Sequence, residues 1–208
     1  MTFVKALLRR AVELKGSGKT QAFGILILTH ILGHKSSQEA GETTKNTTKN
    51  NATKATETGN GTSKLKKPLL ALIMTPTREL AIQIKNHLKQ ATKHTSLEIV
   101  AVVGGMAPQE QQRLLNKYPE VIVATPGILW DLISEGEENV CRLEHLRYLV
   151  IDEANRMVEQ GHFQEVSSIL ELIHRKSDYD EDEGTAKRRH LQKFIFSATL
   201  TLPKSFKS

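Results

Sequence analysis

Short apolar runs alternate along this chain with stretches in which apolar residues return every three or four positions. The runs are Leu69–Met74, Leu97–Val103, Val121–Ala124, Tyr148–Ile151 and Phe194–Phe196. Each is short and bounded by polar sequence, which predicts a strand buried on both faces. Between them, Leu80, Ile84, Leu88 and Ala91 share one helical face, Gln109–Lys117 predicts a second helix, and Phe163, Val166, Ile169, Leu170 and Ile173 mark a third. Ala22–Leu32 suits a buried helix, and Phe3, Leu7, Ala11 and Leu14 predict an amphipathic helix over residues 1–15. Strand and helix in alternation predict an α/β fold, a mostly parallel sheet with helices on both faces.

Two stretches break the pattern. Residues 33–67 are rich in Thr, Asn, Lys, Gly and Ser and nearly devoid of large apolar side chains. Such a segment buries too little surface to offset its ordering entropy, so a disordered polar insertion is expected there. Residues 177–190 carry Asp178, Asp180, Glu181, Asp182 and Glu183, then Lys187, Arg188 and Arg189, and predict an exposed charged loop. The 208 residues suit a single domain, 1–208, long enough to bury a core. The net charge of +6 is compatible with a polyanionic partner but is not gathered into one dense patch. A single cysteine, Cys141, excludes a disulfide framework and a cysteine-built zinc site, and fits a reducing compartment. The longest apolar run, Phe23–Leu32, is too short to cross a bilayer, so no membrane partner is expected.

Chemistry gathers at the ends of the predicted strands. Tyr148–Ile151 runs directly into Asp152-Glu153-Ala154-Asn155. Ligands of parallel sheets sit outside the carboxyl ends of the strands, so both carboxylates are expected at that rim, pointing in different directions. One is then free to face a hydrated metal ion and the other a water. Gly16-Ser17-Gly18-Lys19-Thr20 resembles the end of a phosphate-binding P-loop. There, glycines let backbone amides converge on phosphate oxygens, lysine adds a point charge, and the threonine hydroxyl binds magnesium. Pro76-Thr77-Arg78-Glu79-Leu80 ends one strand and opens a helix, placing Thr77 and Arg78 at a helix N-terminus suited to a phosphate. Gly104-Gly105 and Thr125-Pro126-Gly127 follow two further strands, and Ser197-Ala198-Thr199 a fourth, its two hydroxyls expected either to bond the Asp152–Asn155 turn or simply to cap a backbone.

Taken in order across residues 16–199, these segments resemble the first RecA-like domain of DEAD-box RNA helicases. Gly105-Met106, Leu129-Trp130, Met157-Val158-Glu159 and Ser197–Leu202, with the long insertion before Leu69, look most like the nucleolar subfamily that assembles the large ribosomal subunit. The resemblance implies a RecA-like P-loop fold, ATP and Mg2+ as cofactors, and RNA bound through its backbone rather than by base sequence. It also implies a monomer, ribosome-assembly proteins as further partners, and a place in the nucleus and nucleolus, with the cytoplasm as the alternative. By the same resemblance Gly16, Ser17, Gly18, Lys19 and Thr20 would hold the nucleotide, and Thr20 and Asp152 the magnesium, Asp152 through water. Lys19, Asp152 and Glu153 would form the catalytic set, Glu153 orienting and deprotonating the attacking water. Pro76, Thr77, Arg78, Gly105, Thr125 and Gly127 would meet RNA, and Asn155, Ser197 and Thr199 would couple hydrolysis to domain movement.

The chain also departs from the family pattern. Glu13 stands where a P-loop has a small residue, and residues 1–15 read as helix where a strand should precede the loop. Asn155 replaces an aspartate by a neutral donor and acceptor. Ile128 replaces the arginine that follows Thr-Pro-Gly. No adenine-recognising glutamine segment precedes the P-loop, and the sequence does not include the second helicase half, the source of arginine fingers. This chain by itself is therefore expected to show weak ATPase at best and no unwinding. A degenerate domain that binds RNA or protein without hydrolysis is the alternative.

Overall fold

The computed structural model describes residues 19–42, 67–178 and 191–197. Five strands form one sheet: β1 (Ala71–Met74), β2 (Ile99–Val102), β3 (Val121–Ala124), β4 (Tyr148–Ile151) and β5 (Gln192–Ile195). Every pairing is parallel, and the order is β2-β3-β1-β4-β5. The helices are α1 (Lys19–Glu42), α2 (Arg78–Ala91), α3 (Pro108–Leu115), α4 (Pro126–Ser134), α5 (Glu138–Cys141), α6 (Ala154–Glu159) and α7 (Phe163–Asp178), with a 3-10 turn at Leu143–His145. Strands β1 to β4 are fully buried, which is why their sequences read as unbroken apolar runs rather than alternating ones.

Alternation along each strand divides the core into two layers. Ala71, Ile73, Val121, Val123, Tyr148 and Val150 face α1 and α2, where Phe23, Ile27, Ile31, Ala81, Ile84 and Leu88 cover them. Leu72, Met74, Ile122, Ala124, Leu149 and Ile151 face α3 to α7, against Leu115, Leu129, Leu132, Met157, Ile169 and Ile173. Burying one such aliphatic side chain contributes roughly 1.5–3 kcal/mol, so these layers carry most of the driving force for the fold. α1 and α2 approach closely at Gly24, where a Cβ would stand 2.6 Å from Leu88 Cδ2. The chain therefore leaves β1 toward one face and β2, β3 and β4 toward the other.

At the opposite, amino-terminal edge the strands are tied together by one buried carboxylate. Glu120 is 1% exposed. Its Oε2 accepts from Glu98 N–H at 2.8 Å, its Oε1 lies 3.3 Å from Lys67 Nζ, and its carbonyl accepts from the amides of Leu70 and Ala71. A second link is Tyr148, whose hydroxyl meets His30 Nδ1 of α1 while the two rings stand edge to face with centroids 5.8 Å apart.

Several boundaries differ from the sequence pattern. The backbone of α1 continues through Glu42, beyond Gly33 where the polar insertion was expected to begin. Lys35, Gln38, Glu39, Ala40 and Glu42 are good helix formers, and propensity carries the helix past the end of its apolar stripe. Lys67, expected to close that insertion, is ordered by its ion pair with Glu120 and its bond to Ser96 carbonyl. α7 likewise runs through Ser177 and Asp178, the start of the expected charged loop. The rest of both segments, and the helix expected over residues 1–15, lie outside the described residues. α1 is buried on one side only, because Ile25 is 62% exposed. α5 and the 3-10 turn were not visible as elements, since four and three residues are too few to show a period. Among the described residues, no helix is long and apolar enough to cross a membrane.

Candidate functional site

The carboxyl ends of the strands form one rim. Each ladder continues a residue past the strand: Asp152 N–H donates to Met74 carbonyl at 2.9 Å, Thr75 N–H to Ala124 carbonyl at 3.1 Å, and Phe196 N–H to Ile151 carbonyl at 2.8 Å. Thr125, Thr75, Asp152 and Phe196 thus stand side by side at the next register position. Alternation turns that position toward the α1–α2 face, as the burial of Val103 and Phe196 in that layer attests. β1 leaves the sheet toward this face and its neighbours β3 and β4 toward the other, so the crevice that parallel sheets use for ligands opens at the end of β1. Phe23 packs on Phe196 with ring centroids 5.4 Å apart, which fixes the first turns of α1, and Thr20 with them, over the same rim.

Asp152 is 4% exposed. Its Oδ1 accepts from Glu153 N–H at 3.1 Å. Glu153 takes the left-handed conformation, φ +53, an uncommon state for a residue other than glycine, and is the N-cap of α6. The sharp turn leaves Asp152 buried and Glu153 half-exposed. Ala154 N–H donates to Phe196 carbonyl at 2.9 Å, so the end of β5 is bonded directly to the Asp152–Asn155 turn.

A second group of predicted residues lines the rim further toward β2. Thr77 caps α2, its Oγ1 accepting from Leu80 N–H at 3.3 Å, and Arg78 projects from the first turn into solvent. Gly105 has φ +74, and a Cβ there would lie 2.5 Å from Arg78 Nη1. Glycine at this position therefore does two things: it permits the turn after β2 and leaves room for the guanidinium. Pro76 is buried beside Thr77, whereas Thr125 is half-exposed at the N-cap of α4 without its side chain capping the helix. Gly127 lies in the first turn of α4, the nearest atom to a Cβ there being His162 Cε1 at 3.9 Å.

The pattern of the DEAD/DEAH box helicase family matches residues 11–206. This chain belongs to that family. The DEAD-box chain is 41% identical over 204 residues to DEAD-box ATP-dependent RNA helicase 13 of Oryza sativa subsp. japonica, covering 92% of this chain and 23% of that protein. It is 45% identical over 177 residues to ATP-dependent RNA helicase ddx24 of Dictyostelium discoideum, covering 76% of this chain and 18% of that protein. Among solved structures, the yeast DEAD-box splicing factor Prp28 superposes with a TM-score of 0.65 at 26% identity, over 91% of this chain and 36% of that one. The helicase Mss116 bound to single-stranded RNA and UDP-BeF gives 0.62 at 25% identity, over 89% and 31%. The α/β architecture is thus the RecA-like one. The DEAD-box chain spans less than a quarter of the length of these curated relatives.

The described structure brings Asp152, Glu153, Asn155 and Ser197 to the ends of β4 and β5, and Pro76, Thr77, Arg78, Gly105, Thr125 and Gly127 to the adjoining rim, while Thr20 lies one turn before Phe23 in α1. Gly16, Ser17, Gly18 and Thr199 lie outside the described residues, and of Lys19 only the backbone is described. Two departures from the family pattern have visible places. Ile128 packs against the core layer under α4, so its side chain completes that layer rather than reaching the rim. Asn155 is half-buried in the first turn of α6. Sequence reading passed over Thr75, Glu120 and Phe23. A threonine at a strand end and a glutamate before a strand are too common to signal anything without the fold around them.

Proposed function

We propose that this chain is the nucleotide-binding half of an ATP-dependent RNA helicase, binding ATP with magnesium and the RNA backbone along one rim. The observation that supports the reading is that Asp152 and Glu153 follow β4 directly at the carboxyl-terminal rim, one position past the Met74–Ile151 pair. The donor set fits magnesium: a buried carboxylate and a threonine hydroxyl are hard oxygen groups, and a magnesium ion keeps most of its remaining positions for water and phosphate. A magnesium ion held there would supply charge neutralisation for phosphoryl transfer.

The residues divide the work as follows. Gly16, Ser17, Gly18 and Lys19 would cradle the phosphates, and Thr20 and Asp152 would hold the ion. Glu153, lifted out of the turn by its left-handed backbone, orients a water for in-line attack and takes its proton. Thr77, Arg78, Gly105 and Thr125, with Pro76 and Gly127 shaping the turns, face RNA phosphates and sugars, which gives binding without sequence preference. Ser197 and Asn155, joined through the Phe196–Ala154 bond, pass the state of the nucleotide to the rest of the protein, with Thr199 beside them. The subfamily resemblance supports a role in assembling the large ribosomal subunit, hence a nucleolar site and ribosome-assembly proteins as partners, and the relatives named ddx24 and mak5 are ATP-dependent RNA helicases. A monomer is the expected state.

A second reading, a domain that binds RNA without hydrolysing ATP, is favoured by Asn155 and by the burial of Ile128, which takes a cation from the RNA face. Titrating the 208-residue chain with a fluorescent ADP and with single-stranded RNA separates the two. The helicase reading predicts magnesium-dependent ADP binding that survives Glu153→Gln. It also predicts RNA binding that Arg78→Ala weakens uniformly across sequences, with the salt slope reduced by about one. RNA binding without any ADP binding supports the second reading, and binding of neither ligand overturns both.

A further inference from the structure

The residue at the mouth of the crevice has an unused group. Thr75 is 0% exposed, and its Oγ1 has no hydrogen-bond partner among the described residues. Its amide is satisfied by Ala124 carbonyl at 3.1 Å, so only the hydroxyl is left over. A buried hydroxyl without a partner is destabilising, and native folds rarely keep one without a use. Valine would fill the same space at no such cost.

The position of Thr75 says what the group faces. Met74 pairs with Ile151 in the β1–β4 register and Asp152 N–H donates to Met74 carbonyl, so Thr75 and Asp152 are neighbours one step further along. Both side chains turn toward the α1 face, which at this height holds the first turn of α1. Asp152 spends one carboxylate oxygen on Glu153 N–H. The two side chains therefore flank the same point of the rim, one supplying a carboxylate and the other a hydroxyl. A hydroxyl accepts as well as donates.

Resting on the nucleotide reading above, we propose that Thr75 is a positioning residue of the nucleotide site: its hydroxyl and the Asp152 carboxylate together hold a water of the hydrated magnesium that accompanies the nucleotide. A water bound to a divalent cation is a strong two-proton donor, and it needs two acceptors. Asp152 supplies one and Thr75 the second, which satisfies the hydroxyl only when the site is filled. The residue thus favours the loaded state over the free one.

The test compares Thr75→Val, which keeps the shape and removes the hydroxyl, with Thr75→Ser, which keeps the hydroxyl. Fluorescent ADP is titrated into the 208-residue chain with magnesium and again with EDTA, and the ligand-free melting midpoint is recorded. With magnesium, Thr75→Val should bind about 5- to 20-fold more weakly than the unaltered chain, the loss of one charge-assisted hydrogen bond, and Thr75→Ser should recover most of that. With EDTA the three should bind alike, and the ligand-free midpoint of Thr75→Val should equal or exceed that of the unaltered chain. Equal magnesium-dependent affinity, a loss that persists in EDTA, or a lowered ligand-free midpoint would each overturn the assignment while leaving the nucleotide reading intact. Absence of magnesium-dependent binding in the unaltered chain would overturn that reading and this inference with it.

Discussion

At the scale of single residues, backbone conformation does as much for the site as side-chain chemistry. Glu153 and Gly105 both sit at positive φ, and for opposite reasons. Glu153 bears the cost of a left-handed conformation, and the strain is offset by the bond from its amide to Asp152 and by the buried turn around it. Gly105 carries no side chain because Arg78 occupies the space. Gly105→Ala is therefore expected to destabilise the fold by about 1–2 kcal/mol, from the backbone alone, and to weaken RNA binding by displacing Arg78. Urea denaturation reads the first effect and fluorescence anisotropy with labelled RNA the second. Asp152, Glu153, Thr77 and Arg78 were legible in the sequence because each belongs to a run of chemically distinctive neighbours at a strand end. Thr75 was not, since what singles it out is a missing hydrogen bond, and only coordinates show that.

At the scale of elements, the sequence displayed what has a period and hid what does not. The four buried strands and the amphipathic faces of α2 and α7 follow directly from spacing. β5 starts two residues before its apolar run, because an edge position admits Gln192 and Lys193. α1 outlasts its apolar stripe through helix propensity, while α5 is a single turn held by its neighbours. The junction of α1 with β4 offers a test through pH. Burial of Tyr148 pushes its phenol above the ordinary value of 10.0, with Arg147 pulling weakly the other way. A raised value in the folded state means that the unfolded chain gives up the proton first. The stability Tyr148 contributes is then intact below about pH 10 and drains away as pH rises through the folded value. Unfolding followed from pH 8 to 11 should show the unaltered chain losing stability more steeply above pH 10 than Tyr148→Phe does. Near pH 8 the variant should be less stable by about 0.5–1.5 kcal/mol, the loss of one hydrogen bond to His30. Parallel curves would mean that the phenol is solvated.

At the scale of the whole molecule, function follows from topology. Placing β1 between β3 and β4, with its own connection leaving to the other face, opens one crevice and brings turns from distant parts of the sequence to it. Order along the chain betrayed the family, but only the strand order explains why Asp152 and Ser197, distant in sequence, stand at one rim. Among the described residues, the amino-terminal edge is instead tied by Glu120 and Tyr148. The most direct measurement of this account is an amide chemical-shift map of the 208-residue chain as ADP and magnesium are added. Shifts confined to the start of α1, to residues 75–78, 152–155 and 196–197 would match the single rim described above. Shifts centred on the opposite edge, around Lys67, Glu98 and Glu120, or no response at saturating nucleotide, would contradict it.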